Sequence, residues 1–204
     1  MRTFIVLGLL LLTGFAFAAP PPFPVTPTDI RAPFSSVVFI TVIRGSGTGI
    51  VVGHVRSADS CMTEVLTAKH MVDDGSAVFV NKYYRGDVER LSPTRDLALV
   101  AVFDTECIGT PVRLAKRFKL PARILSVAFP YGAFLISDGW AGIVHEDIPR
   151  EGGPYMLHSA PTGPGSSGGA LFDMRGRLVG MTVGAQGVVA LAVPLEQIRE
   201  FLEG

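Results

Sequence analysis

From Phe34 onward the chain alternates short apolar or every-second-residue runs, rich in Val and Ile, with breaks of Gly, Pro, Asp and Asn. That is the pattern of β-strands separated by turns. Six runs fall in the first half, at Ser36 to Ile43, Thr48 to Val55, Met62 to Thr67, Ser76 to Asn81, Gly86 to Leu91 and Leu97 to Phe103. Six more follow, at Ala122 to Ala128, Leu135 to His145, Tyr155 to Ser159, Ala170 to Phe172, Arg177 to Val183 and Val188 to Val193. Helical spacing is confined to the tail, where Pro194 suits a first-turn position and Leu195, Ile198 and Leu202 share one face. The pattern predicts an all-β chain of two six-strand units closed by a short helix. Gly109 to Pro121, which carries Arg113, Lys116, Arg117 and Lys119, is the expected connection.

The front of the chain is different. Arg2, an apolar run from Phe4 to Leu12 and the small-x-small site Ala16-Phe17-Ala18 have the layout of a secretory signal peptide over residues 1–18. The run is short against the ~20 residues of a spanning helix, so cleavage is expected rather than retention as a membrane anchor. Export to the periplasm or beyond follows, with no stable membrane insertion after cleavage. Residues 19–33 hold Pro20, Pro21, Pro22, Pro24, Pro27 and Pro33, and read as an extended tether.

Composition narrows the function. The chain carries 18 basic against 18 acidic side chains and no long run of like charge, which speaks against nucleic acid as a partner. A hydrophobic fraction of 48% excludes general disorder. No internal sequence repeat is visible.

Candidate chemistry gathers in Pro164-Gly165-Ser166-Ser167-Gly168-Gly169. A serine among glycines suits a tight turn that exposes its hydroxyl and aims backbone N–H groups at a developing oxyanion. Gly165-x-Ser167-x-Gly169 also fits the nucleophile turn of α/β-hydrolases, but those place their histidine after the serine. Here His54, His70, His145 and His158 all precede Ser167. His54 and His145 lie in strand patterns beside Val and read as structural. His158 stays open on spacing, and His70 stands out because it follows the strand-like Glu64 to Thr67 in a short turn. Among acids, Asp96 opens an apolar strand at the barrel rim, whereas Asp73 and Asp74 read as turn residues.

Thr67-Ala68-Lys69-His70, Arg95-Asp96-Leu97-Ala98-Leu99 and Gly165-Ser166-Ser167-Gly168-Gly169 together resemble the three catalytic motifs of chymotrypsin-fold, trypsin-like serine proteases, in that family's order. The likeness is greatest to the bacterial HtrA-type protease domain. Ser46-Gly47-Thr48-Gly49 and Val193-Pro194-Leu195 match that group as well. The resemblance implies two six-stranded antiparallel β-barrels, about residues 34–108 and 120–193, followed by a helix over 194–203. It also implies a triad of His70, Asp96 and Ser167 in the cleft between them, and an oxyanion hole from the N–H groups of Gly165 and Ser167. Pro161, Thr162, Met181, Thr182, Val183 and Gly184 are the matching substrate-binding positions. A polypeptide substrate, an acyl-enzyme mechanism and no cofactor or metal are what such a family implies. A protease-like binding protein that has lost turnover is the alternative.

Four departures qualify the likeness. Lys69 stands where a small residue is usual, and a nearby ammonium would disfavour protonated His70. Ser166 replaces the acid that pairs with a new amino terminus in digestive relatives. Pro161 offers no acid for a basic side chain, so a small or medium apolar residue is expected before the cut. The end at Gly204 predicts no peptide-binding PDZ domain. Finally, Cys61 lies nine residues before His70 and Cys107 eleven after Asp96, which places both at the distal end of the first barrel. A disulfide between them is expected over two free thiols in an oxidising compartment.

Overall fold

The computed structural model describes residues 34–145 and 153–204. The predicted export signal and tether lie outside these residues. Twelve strands form, named here β1 Val37–Val42, β2 Gly45–Arg56, β3 Cys61–Thr67, β4 Val78–Val80, β5 Tyr84–Leu91 and β6 Ala98–Asp104. The second half contributes β7 Ala122–Ala128, β8 Leu135–His145, β9 Tyr155–His158, β10 Gly169–Phe172, β11 Leu178–Gln186 and β12 Val189–Pro194, and α1 spans Leu195–Glu203. Each half closes into an antiparallel barrel, in the order β1-β2-β3-β6-β5-β4 and β10-β11-β12-β9-β8-β7. Renumbered from its own start, the second barrel has the topology of the first. The two halves are thus alike in fold with no visible repeat in sequence.

Period-2 alternation decides which side chains go where. In β1, Val38, Ile40 and Val42 enter the interior of the first barrel, with Val65, Val100 and Val102 opposite them. Ile124, Met156, Leu171 and Ala192 fill the second barrel. Residues on the opposite strand faces, among them Ile50, Leu66, Phe172, Met181 and Val193, form a third cluster that joins the halves and takes in Ile198 of α1.

Boundaries differ from the sequence reading where hydrogen bonding intervenes. β2 begins at Gly45 rather than Thr48 because it continues a tight hairpin with β1, through Val42↔Gly45. β4 is shorter than Ser76 to Asn81. Ser76 N–H bonds the Asp74 carboxylate at 2.9 Å, and Asn81 takes a left-handed φ of 49° in the turn toward β5. β11 runs on to Gln186, in a hairpin with β12 through Gln186↔Val189.

Cys61 and Cys107 form a disulfide with a sequence separation of 46. It sits where β3 starts opposite the end of β6, at Cys61↔Asp104, as expected. Closing a loop of this length removes about 4 kcal/mol of unfolded-chain entropy in the loop-closure account. Cys61→Ala/Cys107→Ala is expected to lose stability on that scale in urea unfolding while the folded site keeps its geometry. An unchanged unfolding midpoint would contradict this account.

Candidate active site

Three loops meet between the barrels. β3 ends at Thr67, and the 3-10 turn Lys69–Met71 that follows carries His70. Asp96 lies in the turn between β5 and β6, and Ser167 in the turn between β9 and β10. His70 Nδ1 stands 2.7 Å from Asp96 Oδ2, and His70 Nε2 stands 3.0 Å from Ser167 Oγ. A carboxylate can only accept, so Nδ1 carries the ring proton and Nε2 is left to accept from the serine hydroxyl. The His70 backbone N–H donates to the other carboxylate oxygen at 3.0 Å. Asp96 is therefore more than a rim residue: its side chain is buried at 8% exposure beneath an imidazole at 39%.

The Asp96 turn is itself braced. Ser92 N–H donates to Leu97 C=O, and Ser92 Oγ accepts from Arg95 N–H at 3.0 Å. Lys69 Nζ donates to Ser92 C=O at 3.0 Å. Its ammonium thus ties the His70 turn to the Asp96 turn. Arg95 also donates to Gly153 C=O.

Two positions in the serine turn require glycine. Gly165 and Gly168 have φ of +96° and +84°, and a Cβ there would lie 2.5 Å from Phe129 O and 1.8 Å from Thr48 O respectively. Ser166, where digestive relatives have an acid, is buried and accepts from Gly163 N–H through Oγ at 3.1 Å. Among the described residues neither the Gly165 nor the Ser167 amide donates to a protein acceptor, whereas the neighbouring Ser166, Gly168 and Gly169 amides all do. Beside His70 a cleft of about 430 Å³ opens, lined by Val42, Arg44, Met71, Asp73, Tyr131 and Gly165 among others.

Other candidates are placed elsewhere. Asp74 belongs to a turn, its carboxyl held below the usual range by hydrogen bonds from Ser76 and then by Arg44. His54 Nε2 meets Ile108 C=O at 3.0 Å, and His145 ends β8. His158, left open by spacing, is buried inside the second barrel and faces Thr182 Oγ1 at 3.3 Å. Pro161 and Thr162 lie in the serine turn, where Thr162 Oγ1 donates to Ala160 C=O. Met181 and Thr182 do not offer a free edge, because β10 and β12 pair with them on either side. Their side chains and that of Val183 are buried as well. Past Thr182 the ladder with β10 ends, and among the described residues Gly184 to Gln186 pair with β12 alone. The residue that sequence reasoning missed is Thr48, noted only as part of a glycine motif. Its amide and hydroxyl both reach the serine turn.

Burial drives the His158 pKa down to about 4. A histidine whose folded pKa lies below its unfolded value near 6.5 binds its proton first in the unfolded chain. Its contribution is whole above pH 6.5 and is lost as pH falls toward 4, on the order of 3 kcal/mol in all. His158→Gln should remove that part of the pH dependence. Urea midpoints at pH 7.5 and 4 for both proteins check it, and parallel losses would refute it.

Among the described residues, no helix is long and apolar enough to cross a membrane, and no cluster of His, Cys, Asp and Glu is suited to a metal ion. The family model described as "Trypsin-like peptidase domain" matches residues 47–181. A "Probable periplasmic serine endoprotease DegP-like" of Ectopseudomonas mendocina is 30% identical over 138 residues, covering 63% of this chain and 28% of the relative. A protein of the same description from Pseudomonas fluorescens is 24% identical over 135 residues, with the same two coverages of 63% and 28%. The chain therefore spans under a third of the length of these relatives. Among solved structures, the Rv3671c protease in its inactive form superposes with a TM-score of 0.66 at 24% identity, covering 93% of this chain and 98% of that one. Deg5 superposes with a TM-score of 0.64 at 21% identity, covering 82% and 87%. These likenesses bear on the fold, which is chymotrypsin-like. With most of both barrels inside the matched segment, this chain belongs to the trypsin-like peptidase domain family.

Proposed function

We propose that this chain is an exported serine endopeptidase, with residues 34–204 as its protease domain and residues 1–18 as its export signal. The observation that carries the reading is the continuous hydrogen-bonded chain Asp96–His70–Ser167, at 2.7 and 3.0 Å, beside two unengaged backbone amides. In this reading His70 Nε2 takes the Ser167 hydroxyl proton while Oγ bonds to a peptide carbonyl carbon. Asp96 holds the ring in the competent tautomer and stabilises the imidazolium that results. The carbonyl oxygen, now negative, receives the Gly165 and Ser167 amides, each worth about 3 kcal/mol to the transition state. The imidazolium then protonates the departing amine, and water, deprotonated by His70, hydrolyses the acyl-enzyme.

Substrate is proposed to pair as an added strand along the β11 edge at Gly184 to Gln186, beyond the end of the β10 ladder. The residues after the scissile bond would enter the cleft beside His70. No acid stands between Ser159 and Gly165, which supports a small or medium apolar residue before the cut. The periplasmic description of the relatives supports export to that compartment.

Fluorophosphonate labelling of residues 19–204, read by intact mass, tests the reading, with peptide-library cleavage alongside. One adduct per chain and cuts after small apolar residues are expected. Folded protein that takes no adduct would replace the protease by a protease-like binding module.

A further inference from the structure

Thr48 belongs to the first barrel and is wholly buried, yet its polar groups serve the site between the barrels. Its N–H donates to Ser167 C=O at 2.8 Å. Its hydroxyl donates to Gly165 C=O at 2.8 Å and accepts from Phe129 N–H at 3.0 Å. Its carbonyl accepts from Thr67 Oγ1 at 2.8 Å, three residues before His70. One residue thus holds the serine turn and the segment after β7 through its hydroxyl, and through its backbone the serine turn again and the strand leading to the histidine.

The geometry gives this a specific consequence. A peptide N–H points opposite the C=O of the same peptide plane, so the Gly165 amide is aimed by the Pro164 carbonyl. Tyr131 N–H holds that carbonyl at 2.6 Å, from a residue with a left-handed φ of 53°. The plane on the other side of Gly165 is held by Thr48 Oγ1. Between the two planes lies a glycine, whose backbone has the least intrinsic preference for any one orientation. Its orientation must come from bonds to its carbonyl neighbours, and Thr48 supplies one directly and steadies the other through Phe129.

We propose that Thr48 is a positioning residue for catalysis: its hydroxyl locks the Gly165 amide into the orientation that receives the oxyanion. Docking of the second barrel's serine turn on β2 and readiness for turnover then become one event. The inference rests on the endopeptidase reading and adds to it a group that touches neither substrate nor the reacting atoms.

Thr48→Val keeps size, shape and both backbone bonds and removes only the hydroxyl. The expected result is a fall in kcat of roughly 10- to 100-fold, less than deleting an oxyanion donor outright, since the amide remains but is no longer held. KM should stay within about twofold, because ground-state peptide pairing does not use this group. The affinity of a peptide boronic acid, which mimics the tetrahedral state, should fall by the same factor as kcat/KM. Binding of an uncut peptide to Thr48→Val/Ser167→Ala should match that to Ser167→Ala alone. Thr48→Ser should restore kcat. If Thr48→Val folds poorly, Thr48→Ser against Thr48→Ala gives the same contrast, since these differ in the hydroxyl alone. Equal kcat with and without the hydroxyl, or a loss carried equally by uncut-peptide binding, overturns the proposal while turnover by the unaltered chain leaves the endopeptidase reading standing. Absence of any turnover by the unaltered chain sinks both.

Discussion

Ser167→Ala is expected to lower kcat on the order of a million-fold, and His70→Ala by a similar factor. The reason lies in the 3.0 Å contact between Ser167 Oγ and His70 Nε2. A serine hydroxyl is a poor nucleophile until a base takes its proton as the bond forms, and an imidazole without a hydroxyl to deprotonate has nothing to activate. The two groups therefore act as a unit. The double variant should be hardly worse than either single one, because the second removal deletes a function already lost. Residual hydrolysis above the uncatalysed rate should survive through the Gly165 and Ser167 amides. Steady-state kinetics on one peptide substrate, with the fluorophosphonate adduct counting active sites in the unaltered chain, would check this. Multiplying losses in the double variant would show that His70 and Ser167 work independently, against the mechanism proposed.

Asp96→Asn should cost about 10⁴-fold in kcat with little change in KM. The carboxylate accepts twice from His70, from the backbone N–H and from ring Nδ1. An amide of the same shape can keep the first bond through its oxygen, but it then presents NH₂ to the ring. Nδ1 must become the acceptor, the proton moves to Nε2, and the base faces Ser167 already occupied. The buried position of Asp96 keeps water from relieving this choice. Folding should survive, because volume and one hydrogen bond are retained. A variant with kcat within tenfold of the parent would mean that the ring finds its tautomer without Asp96.

Much of this was legible along the chain. Each of the twelve strands lies where apolar alternation and turn residues place it, since a strand's facing and a turn's chemistry depend on neighbouring residues. Ends were less legible: the carboxylate of Asp74 and the left-handed Asn81 trimmed β4, and pairing across the tip extended β2 and β11. Three motifs in order were enough to nominate His70, Asp96 and Ser167, but not to show that Met181 and Thr182 are spent within the sheet.

By itself the sequence determined the strands and their two-fold grouping, the chemistry available at each turn, and the pairing partner open to each cysteine. Only the tertiary structure decided which histidine meets the serine, that Lys69 grips Ser92 in the Asp96 turn, and that Thr48 reaches Gly165 across 117 residues. Local periodicity is written in adjacent residues, whereas a 2.8 Å bond between two barrels exists only after both have closed and docked.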